Sequence, residues 1–199
     1  MNREHKRDST IERKTRETAI RVVLDLDGKG ESSISTGILF FDHMLESLAK
    51  HALFNLRITA KGDLAVDAHH TVEDVGIVLG QALREALGSA EGIRRYGSCV
   101  LPMAEAKVEV SVDVSNRPYL VYRLELGNPR IGTFDVSLVE DFLYALSQHA
   151  GLDLHVELRY GRSPHHVVEA IFKGLARALR TAVEVDSRVH GVPSVKGAL

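Results

Sequence analysis

The chain has 199 residues, of which 44% are hydrophobic and 26% are charged, and its net charge at pH 7 is −2. These values exclude wholesale disorder, and they give no overall charge that would favour nucleic acid or an anionic membrane as a partner. The single cysteine, Cys99, excludes an intramolecular disulfide and a zinc site built on cysteines. Charges throughout residues 1–17 and the lack of a long apolar run lead us to expect a cytoplasmic protein that contacts neither nucleic acid nor membrane.

The chain opens with residues 1–10, whose mixed charge leads us to expect a mobile terminus. Apolar and polar residues then alternate on both sides of a turn signal at Asp27-Gly28, which predicts a β-hairpin. The same alternation surrounds a second turn signal at residues 116–118 and predicts another hairpin. The four strands of these hairpins are predicted at residues 18–26, 32–36, 108–114 and 119–126.

Each predicted hairpin is followed by a helix, a strand and a second helix. The first helices are predicted at residues 41–53 and 138–150, and the strands at 54–60 and 152–158. The second helices begin at two histidine pairs, with Asp67 and Ser163 as their N-caps. This order predicts a two-layer α/β fold in which helices cover one face of the sheet.

An internal repeat runs through the chain. The block His69-His70-Thr71-Val72-Glu73 recurs as His165-His166-Val167-Val168-Glu169, and surrounding apolar residues recur in the same order. We therefore predict a duplicated unit of strands, helix, strand and helix, with the first half at residues 11–95 and the second at 96–199. The two halves are expected to pack as one compact subunit.

The two histidine pairs have the composition of metal sites. Successive helix residues lie about 100° apart, so adjacent imidazoles serve two ions more easily than one. Glu73 lies within about one helical turn of His69 and His70, and Glu169 has the same relation to its own pair. Imidazole with carboxylate, without thiolate, suits manganese, non-haem iron or zinc. The repeat thus predicts two helices that converge on a pair of ions.

In order and spacing over residues 11–199, the chain resembles the imidazoleglycerol-phosphate dehydratase family. The resemblance rests on the two histidine blocks and on Phe41-Asp42-His43-Met44-Leu45, His51-Ala52-Leu53-Phe54, Asn116-Arg117-Pro118-Tyr119 and Pro193-Ser194-Val195-Lys196-Gly197. It implies a manganese-dependent lyase of histidine biosynthesis that dehydrates imidazole glycerol phosphate to imidazole acetol phosphate through a metal-bound imidazolate. It also implies trimers that assemble into a 24-mer with sites between subunits.

The resemblance also implies roles for individual residues. The ligands of two Mn²⁺ per site, or of other divalent metals, would be His43, His69, His70, Glu73, Asp141, His165, His166 and Glu169. Glu17 would contact the reacting glycerol and transfer protons, with Glu73 and Glu169 as further catalytic carboxylates. The substrate would be bound by Glu17, His43, His51, His69, Arg95, Arg117, His165, Lys173, Ser194 and Lys196.

The phosphate end of this predicted site is cationic and is not duplicated. The resemblance places the phosphate at Arg95, Arg117, Lys173, Ser194 and Lys196. Lys173 shares a helix face with Glu169 and lies about 12 Å from the metal end, a gap that a glycerol phosphate would bridge. Its counterpart in the first half is Ile77, which fits a substrate with one ring and one phosphate. For His51, a second interpretation besides substrate binding stays open, in which its imidazole complements the dipole of its helix.

Two departures from the family pattern affect the predicted ligands. Asp141 stands where the family often has histidine, so the identity of one metal ligand is left open. A carboxylate is a harder, anionic ligand than an imidazole, and its presence would shift the metal preference of that site. Ala104 stands where aspartate is common, and we expect Glu105 to take over part of the outer hydrogen bonding.

Two other functions are compatible with the same residues. A di-metal hydrolase of the phosphatase type would use the ions to activate water and would release phosphate from simple esters. A non-catalytic shell, in which the ions only join subunits, would tolerate loss of the Glu17 carboxylate. Dehydration instead needs a group that removes a proton from a weakly acidic carbon while a neighbouring hydroxyl leaves.

Overall fold

The computed structural model describes residues 6–126 and 130–197. Its elements, in chain order, are β1 (Asp8–Lys14), β2 (Thr18–Asp25), β3 (Ser32–Ser35), α1 (Leu39–Ala52), β4 (Asn55–Gly62), α2 (His69–Leu87), β5 (Tyr96–Met103), β6 (Ala106–Val114), β7 (Tyr119–Arg123), β8 (Arg130–Ile131), β9 (Phe134–Asp135), α3 (Leu138–Ala150), β10 (Leu152–Tyr160) and α4 (Pro164–Val183). Three strands, a helix, a strand and a helix thus occur twice, with the short β8–β9 pair inserted in the second copy. The predicted α/β class with a duplicated unit is confirmed.

The two copies form four-stranded sheets with matching strand orders, β1-β2-β4-β3 and β5-β6-β10-β7. Both predicted hairpins are wrong, because β4 lies between β2 and β3, and β10 lies between β6 and β7. β3 and β7 run parallel to the inserted strand, as a crossover through a helix requires. Alternation detected the strands but not their partners, and it missed the edge strands β1 and β5.

The turn at Asp27-Gly28 shows why the first hairpin does not form. Asn55 Oδ1, at the start of β4, accepts hydrogen bonds from the backbone N–H groups of Lys29 at 2.9 Å and Glu31 at 3.1 Å. A Cβ atom at Gly28 would lie 2.4 Å from the Asn55 backbone nitrogen. The chain therefore turns around the end of another strand instead of folding back on β2.

The predicted mobile terminus is wrong for residues 8–10, which pair with β2 as part of β1. Residues 1–5 lie outside the described residues. The beginning of β1 is held in place because the Arg7 guanidinium binds the Asp27 carboxylate and donates to the Val183 carbonyl at 2.5 Å. The strand thus contacts both its own half and the end of α4.

The helices begin close to their predicted positions. α3 has the predicted bounds, and α1 begins two residues before its predicted start at residue 41. Ser163 is the N-cap of α4 and accepts from the His166 backbone N–H at 3.5 Å. Asp67 accepts from the His69 N–H at 2.8 Å, but the N-cap of α2 is Ala68, so that cap prediction was one residue off. No helix in the described ranges combines the length and apolar character needed to span a bilayer.

The four helices lie between the two sheets, where α1 packs on α4 and α2 packs on α3. The Phe142 ring stacks on Phe172 at 5.4 Å between ring centroids, and Phe41 meets Phe142 edge-on at 5.3 Å. All three are almost fully buried, and burying each phenylalanine contributes about 1.5–3 kcal/mol. α2 approaches α3 closely at Gly80, where a Cβ atom would lie 2.9 Å from the Leu146 carbonyl oxygen. This packing brings the beginning of each helix next to a helix of the other half.

Candidate metal and substrate site

One group of predicted ligands forms where α1 meets α4. His43 comes from α1, His165 and Glu169 come from α4, and one ligand atom of each lies within 4.8 Å of the others. Burial alone raises the pKa of Glu169, but the hydrogen bond and charge of Lys173 outweigh it, so the net shift is downward. Two imidazoles and an ionised carboxylate are thus gathered in a pattern that suits a divalent cation.

A second group forms in the equivalent place, where α2 meets α3. His69 Nδ1 lies 3.3 Å from Asp141 Oδ2, and His69 Nε2 lies 3.6 Å from Glu73 Oε2. Asp141 therefore has the place that His43 has in the first group. A cavity of about 870 Å³ opens beside His69 and Asp141 and is walled in part by Leu39.

Neither group is formed within one half of the chain. The prediction grouped ligands by repeat and had both histidine helices converge on one pair of ions. A single subunit instead gathers His43 with His165 and Glu169, and separately places His69 between Asp141 and Glu73, which it meets through different ring nitrogens. The reason is tertiary packing, since each histidine helix lies against the first helix of the other half.

The second histidine of each pair faces away from these groups. The two rings of each pair are nearly perpendicular, at 75° and 81°. His70 Nδ1 lies 3.0 Å from Asp63 Oδ2, and the hydrogen bond with Asp63 raises the pKa of His70. His166 Nδ1 lies 2.6 Å from Glu105 Oε2. Sequence reasoning missed Asp63, because a loop residue seven positions before the histidine follows no helical spacing.

Glu105 makes a hydrogen bond of the outer kind expected of it, to the predicted ligand His166. Glu105 Oε1 also accepts from the backbone N–H groups of Ser163 at 2.7 Å and Arg162 at 3.3 Å. The Ser163 hydrogen bond, followed by that of His166, lowers the pKa of Glu105 to about 2. This carboxylate is therefore held as a permanent acceptor.

Glu17 lies in the turn between β1 and β2, next to α2. Its carboxylate is 3.9 Å from His70 Nδ1, its side chain is 55% exposed, and it accepts no hydrogen bond from the described part of the chain. A carboxylate without fixed donors, beside the candidate ligands, is available to exchange a proton with a bound molecule.

Four predicted phosphate residues line one cavity of about 530 Å³, namely Arg95, Arg117, Ser194 and Lys196. The Arg95 guanidinium binds both oxygens of Asp113, at 2.7 and 3.1 Å, and donates to the Pro193 carbonyl at 3.0 Å. Arg95 therefore holds the segment that carries Ser194 and Lys196.

Lys173 does not join this cavity. Its Nζ atom lies 2.7 Å from Glu169 Oε1 and 3.7 Å from Met103 Sδ. Lys173 lies eight residues after His165 on α4, a rise of about 12 Å as predicted, and its side chain reaches back one turn to Glu169. Its role toward phosphate stays a prediction.

The phosphate cavity and the first ligand group lie at opposite ends of α4. The Arg95 N–H donates to the Ala182 carbonyl at 2.8 Å, whereas His165 is the second residue of the helix. The 17 residues between them span about 25 Å at 1.5 Å per residue. One small molecule cannot reach both places in the same subunit.

His51 lies in the last turn of α1, two turns beyond His43. Burial and then the charges of Lys173 and Arg177 lower its pKa. His51 thus faces the cationic side of α4, and its substrate role and its dipole role both stay predictions.

The fold and these groups define an internally duplicated α/β enzyme with imidazole–carboxylate groups at its helix ends. The sequence model of the imidazoleglycerol-phosphate dehydratase family matches residues 36–179. The chain belongs to that family and is a hydro-lyase of histidine biosynthesis.

Relatives and solved structures agree over nearly the whole chain. Imidazoleglycerol-phosphate dehydratases of Geobacter sulfurreducens and Xanthobacter autotrophicus are 54% and 56% identical, over 97% of this chain and 99% and 98% of theirs. The crystal structure of the Staphylococcus aureus enzyme matches with a TM-score of 0.82 at 37% identity, over 90% of this chain and 99% of that one. The crystal structure of the Pyrococcus furiosus enzyme in complex with (S)-C348 matches with a TM-score of 0.83 at 40% identity, over 95% of this chain and 100% of that one.

Proposed function

We propose that this chain catalyses the Mn²⁺-dependent dehydration of imidazole glycerol phosphate to imidazole acetol phosphate, at sites completed between copies of the chain. The observation that carries the proposal is the pair of repeat-related imidazole–carboxylate groups in a chain of this family. Both groups contain an imidazole and a carboxylate one helical turn apart and a third donor from a helix of the other half.

The donor chemistry fits manganese. The first group would supply His43, His165 and Glu169 to one ion, and the second would supply His69, Glu73 and Asp141 to the other. His70 and His166 have Nδ1 next to a carboxylate, an arrangement typical of a histidine that ligates metal through Nε2. Bound Mn²⁺ supplies Lewis acidity and a template for the substrate's ring.

The reaction removes one water molecule. The hydroxyl on the carbon beside the ring leaves as hydroxide, and a proton leaves the next carbon to give an enol. Moving the enol proton to the carbon beside the ring then gives the ketone. Glu17 is the group we assign to these proton transfers, because its carboxylate has no fixed donor and lies beside His70. The carboxylates of Glu73 and Glu169 would each bind one of the two metal ions.

Completion between copies follows from the separation within one subunit. The phosphate cavity is about 25 Å from the first ligand group along α4, so ring and phosphate of one substrate need residues of different copies. Leu39 and Val66, near the second group, are 84% and 71% exposed, as expected for apolar residues that a neighbouring copy covers. We assign this assembly to trimers that build a 24-mer.

The test is ultraviolet detection of imidazole acetol phosphate by chelated protein, before and after Mn²⁺ is restored, with light scattering of both samples. We expect turnover only with Mn²⁺ and a particle of about 24 copies. Release of phosphate from simple esters without dehydration would instead indicate a hydrolase. Glu17→Gln should keep metal and substrate affinity while losing turnover, and normal turnover in that variant would contradict the proposed role of Glu17.

A further inference from the structure

A buried carboxylate on α2 holds both ends of the turn that carries Glu17. Asp74 is 7% exposed, and its Oδ2 atom lies 2.6 Å from the Arg13 guanidinium. The Thr18 hydroxyl donates to the same oxygen. Arg13 lies in β1 before the turn and Thr18 begins β2 after it. One side chain of α2 therefore fixes the turn from both strands.

The turn itself is closed by a second hydroxyl. Thr15 Oγ1 accepts from the backbone N–H groups of Glu17 at 3.1 Å and Thr18 at 3.0 Å, and it lies 3.3 Å from the Thr18 hydroxyl. The Glu17 backbone is thus restrained although its carboxylate is free. Asp74 is one helical turn after His70, so the restraint comes from the helix face that carries this candidate ligand.

The second half builds the same hairpin without these polar groups. The residues equivalent in strand register and in distance from the histidine pair to Arg13, Thr18 and Asp74 are Leu101, Ala106 and Ala170. A sheet and helix of this fold therefore do not require the network. In the second half the turn is instead attached through Glu105 itself, whose carboxylate binds His166 and two backbone N–H groups.

The two halves thus restrain equivalent turns by different means. Asp74 is buried and Arg13 is half-buried, and replacing a pair withdrawn from solvent by apolar residues is often neutral for stability or better. The second half, with apolar residues at these positions, shows that the fold accepts this replacement. In the first half, the network of Asp74, Arg13 and Thr18 restrains the turn without using the Glu17 side chain.

We propose that Asp74 is a positioning residue, which acts through Arg13 and Thr18 to hold the Glu17 turn against α2 while leaving the Glu17 carboxylate free to react. This inference rests on the proposed function, since it assumes that Glu17 transfers protons. We therefore expect loss of the network to lower kcat and to leave the affinity for metal and substrate unchanged.

The experiment compares four variants of the assembled, Mn²⁺-loaded enzyme. Thr18→Val removes the hydroxyl and keeps the shape, and Thr18→Ser restores the hydroxyl. A triple variant, Arg13→Leu with Thr18→Ala and Asp74→Ala, installs the apolar set of the second half and so leaves no buried unpaired charge. Asp27→Ala is the matched control, because it breaks the Arg7–Asp27 pair at the far end of the same strand. Each variant is assayed for kcat, KM and bound manganese, and hydrogen exchange is measured for residues 14–18.

A misplacement of about 1 Å costs about 10²-fold in rate, so we expect kcat to fall at least tenfold in Thr18→Val and in the triple variant. Manganese content and KM should change less than threefold, exchange at residues 14–18 should increase, and Thr18→Ser and Asp27→Ala should retain kcat. The inference is overturned if kcat of Thr18→Val and the triple variant stays within twofold, if metal is lost in parallel, or if kcat of Thr18→Ser and Asp27→Ala falls equally.

Glu17→Gln, assayed alongside, separates the positioning role of Asp74 from the proposed role of Glu17. If it loses turnover while Thr18→Val does not, only the positioning role fails, and if it keeps turnover, the proposed role of Glu17 fails as well.

Discussion

Glu17 and Glu105 occupy equivalent positions in the two halves, directly before the first residue of β2 and of β6. Glu105 is bound to His166 and to backbone N–H groups, whereas Glu17 accepts no hydrogen bond from a described residue. In the first half Asp63 takes the histidine contact that Glu105 makes in the second. Duplication thus provided two equal carboxylates, and their neighbours made one a fixed acceptor and left the other free.

The two groups of candidate metal ligands resemble each other more closely than Glu17 and Glu105 do. Asp141 replaces the imidazole that His43 provides in the other group, but both groups keep a histidine and a glutamate one turn apart. At the phosphate cavity the halves differ in the segment that is held: Arg95 binds Asp113 and the Pro193 carbonyl, next to Ser194, whereas its counterpart Arg7 binds Asp27 and the Val183 carbonyl at the end of α4. Duplication is kept for the ligands and lost for the phosphate end.

Exchanging the two glutamates for glutamine tests this comparison most directly. Glu17→Gln should lower kcat by about 10²–10⁴-fold, the usual contribution of a positioned proton-transfer group. Glu105→Gln should instead weaken Mn²⁺ affinity by about 10–100-fold, because it removes the carboxylate behind His166. Steady-state kinetics and metal titration of both variants check the difference, and equal kinetic losses in the two would contradict it.

The unequal ligand groups lead to a prediction about metal content. Asp141→Ala should remove one of two Mn²⁺ per site, because it leaves only His69 and Glu73 in the second group. Asp141→His should keep both ions and shift preference toward zinc, a softer cation. Metal analysis after gel filtration measures both effects, with His43→Ala as the matched loss in the first group. Two retained ions in Asp141→Ala would show that Asp141 is not a ligand.

The unduplicated phosphate end predicts a smaller effect, on KM. Asp113→Ala frees the Arg95 guanidinium and the segment at Ser194, and losing charge-assisted hydrogen bonds of about 1.5–3 kcal/mol should raise KM roughly tenfold or more. kcat should change little, because the side-chain contact of Asp113 is to Arg95 and not to a candidate metal ligand or to Glu17. Asp27→Ala, the equivalent change in the first half, should leave KM unchanged. A raised KM in that control would contradict the attribution of the effect of Asp113→Ala to phosphate binding.

The smallest expected effect is on acid stability. The folded-state pKa of Glu105, about 2, is lower than the ordinary value of 4.5 for a glutamate, so its ionised form stabilises the fold fully above pH 4.5 and loses that effect as the pH falls toward 2. Glu105→Gln should therefore reduce the free energy of unfolding of chelated protein at pH 6 and approach wild type at pH 2. Urea unfolding at both values measures this, and Glu17→Gln, which removes no hydrogen bond between described residues, sets the baseline. A pH-independent difference would contradict the prediction.

Local sequence signals predicted much of this fold. The repeat of His69 to Glu73 identified the duplication, and helical spacing placed α3 at its observed bounds. Strand partners were not predictable in this way, since alternation within 18–26 and 32–36 is the same whether the strands pair directly or with β4 between them. Asp63 was also missed, because a loop residue meets its histidine only after the loop has folded.

By itself the sequence determined the residue types of the site and their spacing along each helix, because a helical turn of about 3.6 residues places His69 beside Glu73 and His165 beside Glu169 wherever the helices lie. Only the tertiary structure decided which groups meet across helices: His43 with His165, Asp141 with His69, and Lys173 with Glu169 instead of the phosphate cavity. The physical reason is that local periodicity depends on backbone geometry, whereas contacts between helices depend on how a shared core of buried side chains packs.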